Sequence, residues 1–185
     1  VANSVTFDHS GNVIITGEFS GSNCQFGSTT LSSLNNTLDV FTAKYDGHGI
    51  ALWAKSGSGL YSARGTDIAA DLSGTILVSG EFHDTITFDQ IHYKYEHNCF
   101  VLIKYEGNGQ EQLFRWMGNG NTVSIAGIEV NHQGYIISCG NFSGSLDFFG
   151  LSSSFTLTNT YQNNYFIAKF DPAGNLTWSS ANGSS

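Results

Sequence analysis

Apolar residues occur along this chain in short runs that end at glycine, asparagine, aspartate or serine. Three of the clearest runs are "NVIITGEF" from residue 12, "TILVSGEF" from residue 75 and "YIISCGNF" from residue 135. Short apolar runs between turn residues are typical of β-strands, and no segment has the sustained 3.6-residue periodicity of a helix. The pattern therefore predicts an all-β protein.

The same pattern occurs three times. Aligning Gly11, Gly74 and Gly134 gives spacings of 63 and 60 residues, and the blocks "VFTAKYD", "FVLIKYE" and "YFIAKFD" follow in the same order. Such internal repetition indicates a repeat architecture, and we treat the chain as one domain with repeats at about 1–61, 62–122 and 123–185. The matched structural positions are Gly17, Gly80 and Gly140, then Lys44, Lys104 and Lys169, then Trp53, Phe114 and Trp178.

Each repeat is predicted to contain four strands, a to d. Strand a is a brief segment such as "SVTFD", strand b is the apolar run above, strand c contains the lysine, and strand d leads to the tryptophan or Phe114. Consecutive apolar residues in strand b predict a strand that is covered on both faces. Four-stranded sheets covered by like sheets are the blades of a β-propeller, so we expect three four-stranded antiparallel blades. A β-solenoid or sandwich array is the alternative architecture. The longer segment between strands b and c is predicted to form a small hairpin or loop folded onto the blade.

The turn between strands c and d raises the question of an enzyme. The segment "YDGHGIALW" at residues 45–53 resembles the Asp-box of sialidase-type propellers in its acid, glycine and tryptophan. In an Asp-box these residues are two and three positions apart, whereas Asp46, Gly49 and Trp53 are three and four apart. We therefore interpret the segment as a hairpin turn, with Trp53 and Trp178 packing between blades.

The charge of the chain excludes one class of partner. Seven Lys and Arg against fifteen Asp and Glu give a net charge of −8. An acidic surface repels phosphate backbones, so we expect no nucleic-acid partner. No apolar run approaches the roughly 20 residues of a membrane-spanning helix.

Two glutamates at equivalent positions are candidates for catalysis. Glu18 and Glu81 follow the glycine of strand b, and a pair of carboxylates is what a glycosidase uses as acid and base. The third repeat has Asn141 there, which favours a structural role. We expect Glu18 to meet Lys44, Glu81 to meet Lys104 and Asn141 to lie near Lys169. No catalytic residue is predicted.

We predict no metal and no cofactor. His92, Glu96, His97 and Cys99 lie close in sequence, but their spacing matches no common zinc pattern. Cys24, Cys99 and Cys139 are an odd number at irregular spacing, so small buried or half-buried thiols are expected, and a Cys24–Cys99 bridge is the alternative. The ligand-binding candidates are Tyr93, Tyr95, Tyr161 and Asn163, because aromatic and amide side chains suit protein and sugar contacts alike.

The repeat unit resembles a known bacterial family. Its pattern stands here as "DHSGNVIITGEFSG" at 8–21, "FGSTTL" at 26–31 and "FTAKYDGHGIALWAK" at 41–55. In this pattern the chain is similar to the bacterial seven-bladed β-propeller repeat (SBBP-type) family. The resemblance implies a secreted or surface-exposed bacterial protein without an assigned reaction. Repeat two departs from the pattern, since Phe114 replaces the tryptophan and one residue is inserted before it.

Three blades do not close a ring, because propellers have four to eight. We expect either a piece of a longer chain or two copies that complete a ring of about six blades, and "SSANGSS" at 179–185, which is similar to "AKSGSGL" at 54–60, favours the first. The function expected is a non-enzymatic extracellular module for protein–protein interaction, adhesion or surface assembly. Its partners would be a protein or the remaining blades. A carbohydrate-binding propeller is the first alternative, and a fragment of a propeller glycosidase or lyase is the second.

Overall fold

The computed structural model describes residues 1–88, 91–118, 122–149, 154–158 and 164–183. This part of the chain is built of antiparallel β-strands, with a single 3₁₀ turn at Leu34–Asn36. The prediction of an all-β fold is confirmed. The strands of repeat one are β1 (Ala2–Phe7), β2 (Val13–Phe19), β3 (Cys24–Phe26), β4 (Thr29–Leu31), β5 (Asp39–Tyr45) and β6 (Ala51–Ser58). Those of repeat two are β7 (Ala63–Ala70), β8 (Ile76–Phe88), β9 (Ile91–Tyr105) and β10 (Glu111–Gly118). Those of repeat three are β11 (Thr122–Val130), β12 (Ile136–Ser143), β13 (Ser145–Phe149), β14 (Ser154–Thr158), β15 (Asn164–Phe170) and β16 (Leu176–Gly183).

Strands a to d of each repeat pair in chain order as an antiparallel meander. The meanders are β1-β2-β5-β6, β7-β8-β9-β10 and β11-β12-β15-β16. The first two are joined because β6 pairs with β8 through Gly57 and Phe88. Since β10 pairs with β13 in the same way, one ten-stranded sheet runs through repeats one and two and includes the β13–β14 hairpin. The third meander is a separate four-stranded sheet.

The segment between strands b and c forms a hairpin in each repeat, as the sequence predicts. Strands β3 and β4 form it in repeat one, the outer halves of β8 and β9 in repeat two, and β13 and β14 in repeat three. A buried phenylalanine anchors each hairpin. Phe26 packs on Phe41 with ring centroids 4.9 Å apart, and Phe148 packs on Phe166 at 6.0 Å. In repeats one and three the hairpin therefore covers one face of its own meander.

The a–b and c–d turns share one geometry. In the turn at Asp46, the Asp46 N–H donates to the carbonyl of Ile50, and the Gly49 N–H donates to the carbonyl of Asp46. The Asp46 carboxylate accepts from the N–H groups of His48 and Ile50. The glycine has a φ of 80°, in the left-handed region that glycine adopts without strain. The same backbone bonds occur in the turns that end at Gly11, Gly74, Gly109, Gly134 and Gly174. The segment "YDGHGIALW" is therefore a hairpin turn of the type that recurs throughout the chain.

A bulge in strand a explains the recurring glycine of strand b. The backbone of β1 shifts register opposite Gly17, and β7 and β11 shift at the equivalent places. A Cβ on Gly140 would lie 1.9 Å from the carbonyl oxygen of Ser124, and one on Gly17 would lie 2.0 Å from that of Val1. Repeat two is looser, since the nearest backbone atom to a Cβ on Gly80 would be 3.1 Å away. A side chain at this position collides with strand a in repeats one and three.

Strand b is covered on both faces only in the middle of the molecule. Ile76, Leu77 and Val78 of β8 are all fully buried, as the continuous apolar run predicts. In β2 the residues on either side of Ile14 are partly exposed, and in β12 Ile137 is exposed. The same pattern thus has one uncovered face in repeats one and three, because each has a neighbouring repeat on one side alone.

Candidate functional site

Repeats one and two meet where the c–d turn of repeat two docks on repeat one. The carbonyl oxygen of Gly107 accepts hydrogen bonds from Lys44 Nζ at 3.0 Å and from Trp53 Nε1 at 3.2 Å. The Trp53 ring lies against Gly109, where a Cβ would be 2.8 Å from Trp53 Cδ2, and is 5.7 Å from the Tyr105 ring. We call Lys44 and Trp53, with the carboxylate of Asp8, the turn socket.

The strand pairing positions the turn socket. Lys44 and Trp53 are direct cross-strand partners on β5 and β6, so their side chains lie side by side on one face. Asp8 begins the a–b turn and pairs with Lys44 at 2.8 Å, and both side chains are almost fully buried. Burial raises the pKa of Asp8, but hydrogen bonds from Lys44 and Asn12 and the Lys44 charge outweigh it and lower the pKa to about 2. The socket therefore contains a charged pair that holds Lys44 toward the neighbouring turn.

The predicted pairing of the strand-b glutamates with the strand-c lysines was wrong for Glu18. Lys44 lies opposite Ile14 and Glu18 lies opposite Val40, so the two are four positions apart along the strands, or roughly 13 Å. The Glu18 carboxylate accepts instead from the Asn3 side chain.

The other two predicted pairs were also wrong. Glu81 lies opposite Phe100 rather than Lys104, and it forms an ion pair with Arg64 at 2.8 Å. Asn141 lies opposite Tyr165. Lys169 Nζ lies over the ring of Tyr135, 4.7 Å from its centroid.

The cleft that contains Glu81 is not lined by Glu18. This cleft of about 250 Å³ is lined by Ser62, Arg64, Glu81 and His83 together with apolar residues. An acid and base pair of a glycosidase faces one substrate from both sides of the scissile bond. Among the described residues that line this cleft, Glu81 has no second Asp or Glu to complete such a pair.

The predicted recognition residues and the His–Cys cluster are placed only in part. Tyr161 and Asn163 lie outside the described residues, and so do the side chains of Tyr93, Tyr95, Glu96, His97 and Phe114. His92 is exposed and shares a hydrogen bond with Thr87, whereas Cys99 is buried in the core. Across the described residues, no group of three His, Cys, Asp or Glu side chains is placed to hold a metal ion.

The three cysteines are free thiols. Burial raises the pKa of Cys99 to about 12, while Cys24 is half-buried and Cys139 is exposed. The alternative of a Cys24–Cys99 bridge is not realised in the structure.

Asp67 links the first strands of all three repeats, a role that the sequence analysis missed. Its carboxylate accepts from Ser4 Oγ at 2.7 Å in repeat one and from the Ile128 N–H at 2.9 Å in repeat three. Ser4, Asp67 and Gly127 occupy the same bulge position of strand a. The signal was available, because an acid stands at this position in the middle repeat alone.

The last repeat presents an exposed lysine–tryptophan pair equivalent to that of the turn socket, with Asn131 at the position of Asp8. Lys169 and Trp178 are cross-strand partners on β15 and β16, as Lys44 and Trp53 are on β5 and β6. Trp178 is 45% exposed. The prediction that a tryptophan packs between repeats is thus confirmed for Trp53 and wrong for Trp178. We call the surface of Ile137, Tyr165, Lys169 and Trp178 the socket face.

The first repeat exposes the opposite surface. Val5 and Phe7 of β1 are exposed, and the turn at 46–50 is open to solvent, with no atom within 4 Å of a Cβ built on Gly49. We call Val5, Phe7 and this turn the turn face. Among the described residues, apolar surface is therefore uncovered at both ends of the series of repeats.

Comparison with known proteins finds no matching family model and no matching curated protein. The resemblance to the bacterial propeller repeat stays a prediction. Within the residues that the structure describes, no helix has the length and apolar character needed to span a membrane.

Proposed function

We propose that the chain is a non-enzymatic interaction module made of three β-propeller-type blades, one in each repeat. It acts at the surface of, or outside, a bacterial cell, in adhesion or surface assembly. The observation that carries this proposal is the pair of uncovered apolar end surfaces. Contiguous exposed apolar surface is a usual mark of a protein–protein interaction site.

The contacts between repeats support the blade interpretation. Strand a of each repeat lies beside strand a of the next, with Asp67 bridging them, and strand d pairs with the hairpin of the following repeat. Blades that stack around an axis have this order, with the first strand inward and the fourth outward. The extracellular bacterial location rests on the family resemblance alone.

A carbohydrate-binding module is the second candidate, and the cleft at Arg64 favours it. The Arg64–Glu81 pair supplies charged donors and acceptors. The rings of His83 and Tyr61 pack nearly perpendicular to each other, with their centroids 5.0 Å apart. Polar groups beside aromatic rings suit a sugar ring. The glycosidase or lyase fragment is the third candidate, with Glu81 as the carboxylate that lines the cleft.

Binding measurements on the immobilised chain separate these candidates. The analytes are the chain itself, purified extracellular-matrix proteins and a panel of oligosaccharides. We expect saturable binding of a protein analyte that falls at least roughly tenfold, or about 1.4 kcal/mol, in the Y165S/W178A double variant. The R64A variant, which alters the cleft, is the control and should bind protein normally. Binding of oligosaccharides alone, lost in R64A, would support the second candidate instead. Hydrolysis or elimination of a glycan, lost in E81Q, would show an enzyme.

A further inference from the structure

We infer that the socket face of one copy of this chain binds the turn face of a second copy, by the same contact that joins repeat one to repeat two. This inference rests on the proposed interaction function and names its partner. The two faces are the two unsatisfied halves of an interface that the molecule already contains.

Residues on the socket side are exposed in repeat three but buried at the equivalent positions of repeats one and two. In strand b, Ile14 is 0% exposed and Leu77 is 1% exposed, because each faces the following repeat. Ile137 occupies the same position in repeat three and is 40% exposed. In strand c, Val40 and Phe100 are likewise buried, but Tyr165 is 54% exposed. These side chains match residues that a following repeat covers.

Residues on the turn side are exposed in repeat one but buried at the equivalent positions of repeat three. In strand a, Phe7 lies opposite Val13 and is 67% exposed, whereas the equivalent Val130, opposite Ile136, is 6% exposed. Val5 is also exposed, while Ile128 at its position in repeat three is buried. A preceding repeat is what covers this face in repeats two and three.

The turn of repeat one can accept the same hydrogen bonds as the turn of repeat two. The turn at 46–50 has the same backbone bonds as the turn at 106–110, so the Gly47 carbonyl corresponds to that of Gly107. Docked as in the internal contact, the Gly47 carbonyl accepts from Trp178 Nε1 and Lys169 Nζ of the second copy. Gly49 then lies against the Trp178 ring, where a side chain has no room. Gly109 is buried against Trp53 in this way, while Gly49 is exposed.

The edges of strands β16 and β3 complement each other in the same way. Strand β6 pairs with the hairpin of repeat two, and β10 pairs with that of repeat three. Strand β16 is the equivalent strand and stands last in its sheet, while β3 pairs with β4 alone among the described strands. An open edge of this kind is a template for pairing with another chain. The hairpin of a second copy therefore fits on β16.

Both halves of the interface lie on one chain and differ from each other, so the contact is heterologous. Such contacts close a ring when the rotation between copies allows it and otherwise extend as a filament. The occupant is a second copy because it carries every complementary feature named above: the apolar strand a, the glycine turn and the free hairpin edge.

The test is the oligomeric state of the full chain in sedimentation velocity over a wide concentration range. We expect reversible self-association. W178A removes the socket, and G49N obstructs the turn with a residue that tolerates a positive φ. Each should weaken association by at least roughly tenfold. Leu72 is an exposed apolar residue that lies on neither face, so L72S should associate normally. Circular dichroism checks that each variant is folded.

Mixing the two defective variants gives the sharpest outcome. W178A keeps its turn and G49N keeps its socket, so the mixture should form a one-to-one heterodimer through one contact. A wild-type chain that stays monomeric, or variants that associate as well as wild type, would overturn the inference. An equal loss in L72S would show non-specific aggregation and would also overturn it. If the monomer still binds other proteins through these faces, the proposed function stands and the inference fails.

Discussion

At the scale of single residues, the contact between repeats depends on a backbone carbonyl. Gly107 has no side chain, and Lys44 and Trp53 of the preceding repeat both donate to its oxygen. The rest of the turn varies between repeats, but a glycine with positive φ recurs at 49, 109 and 174. At 109 this glycine has a second role, because the Trp53 ring occupies the space of a side chain.

Two glycine substitutions separate these roles. Gly49 and Gly109 have φ values of 80° and 84°, so alanine at either costs about 1–2 kcal/mol of backbone strain. G109A also places a methyl group against Trp53 and should cost roughly 1–3 kcal/mol more. Urea unfolding at concentrations where the chain is monomeric measures the difference. Equal losses in the two variants would contradict the contact between Trp53 and the turn.

Asp8 makes the stability of the molecule depend on pH. Its pKa is about 2 in the folded chain against about 3.9 when unfolded, so its ionised form favours folding above about pH 4. This contribution, roughly 2 kcal/mol, is lost as the pH falls from about 4 to 2. D8N should be destabilised at neutral pH, because it leaves the Lys44 charge without its carboxylate, and the gap to wild type should narrow over that interval. Unfolding curves of wild type and D8N measured from pH 6 to 2 test this. A gap that does not change with pH would be inconsistent with the assigned role of the Asp8–Lys44 pair.

At the scale of strands and turns, the sequence pattern predicted the features that depend on residues close together in the chain. The strands, the glycine turns and the hairpins between strands b and c follow from apolar runs and turn residues. The register of strand b against strand c does not, because a tight turn sets register and the segment between these strands is long. For this reason the prediction of a Glu18–Lys44 pair was wrong, although the two residues were correctly assigned to neighbouring strands. The hydrogen bonds that the turn socket makes to Gly107 were missed, because their acceptor is a backbone carbonyl in the next repeat.

Equivalent positions of strand b should differ in their effect on stability. Leu77 is fully buried between repeats two and three, so L77A should cost about 2–5 kcal/mol. Ile137 has the same position but faces solvent, so I137A should cost less than about 1 kcal/mol in the monomer. Urea unfolding of both variants at low protein concentration provides the comparison. A large loss in I137A under these conditions would show that this face is covered in the isolated chain.

At the scale of the whole molecule, repetition gives a stack whose ends match each other. Each repeat covers one face of the next, so the uncovered faces are left at the two ends, and they are of opposite type. The sequence predicted the repeated order of four strands. It did not predict which residues are exposed, since Ile14 and Ile137 stand in similar apolar runs and differ only in their neighbours. The exposure of a residue here is a property of its place in the stack.

Cys139 allows the covering of the socket face to be followed directly. It lies on β12 two residues after Ile137 and therefore on the same face of the sheet, and its thiol is exposed. Alkylation of Cys139 should be fast in dilute protein and should slow as the concentration rises and a second copy covers the face. Cys99 should react slowly throughout, because it is buried and its pKa is raised to about 12. Peptide mass spectrometry reports the two sites separately. In W178A the labelling of Cys139 should not depend on concentration. Equal protection of Cys139 in W178A and wild type would mean that the socket face does not form the contact between copies.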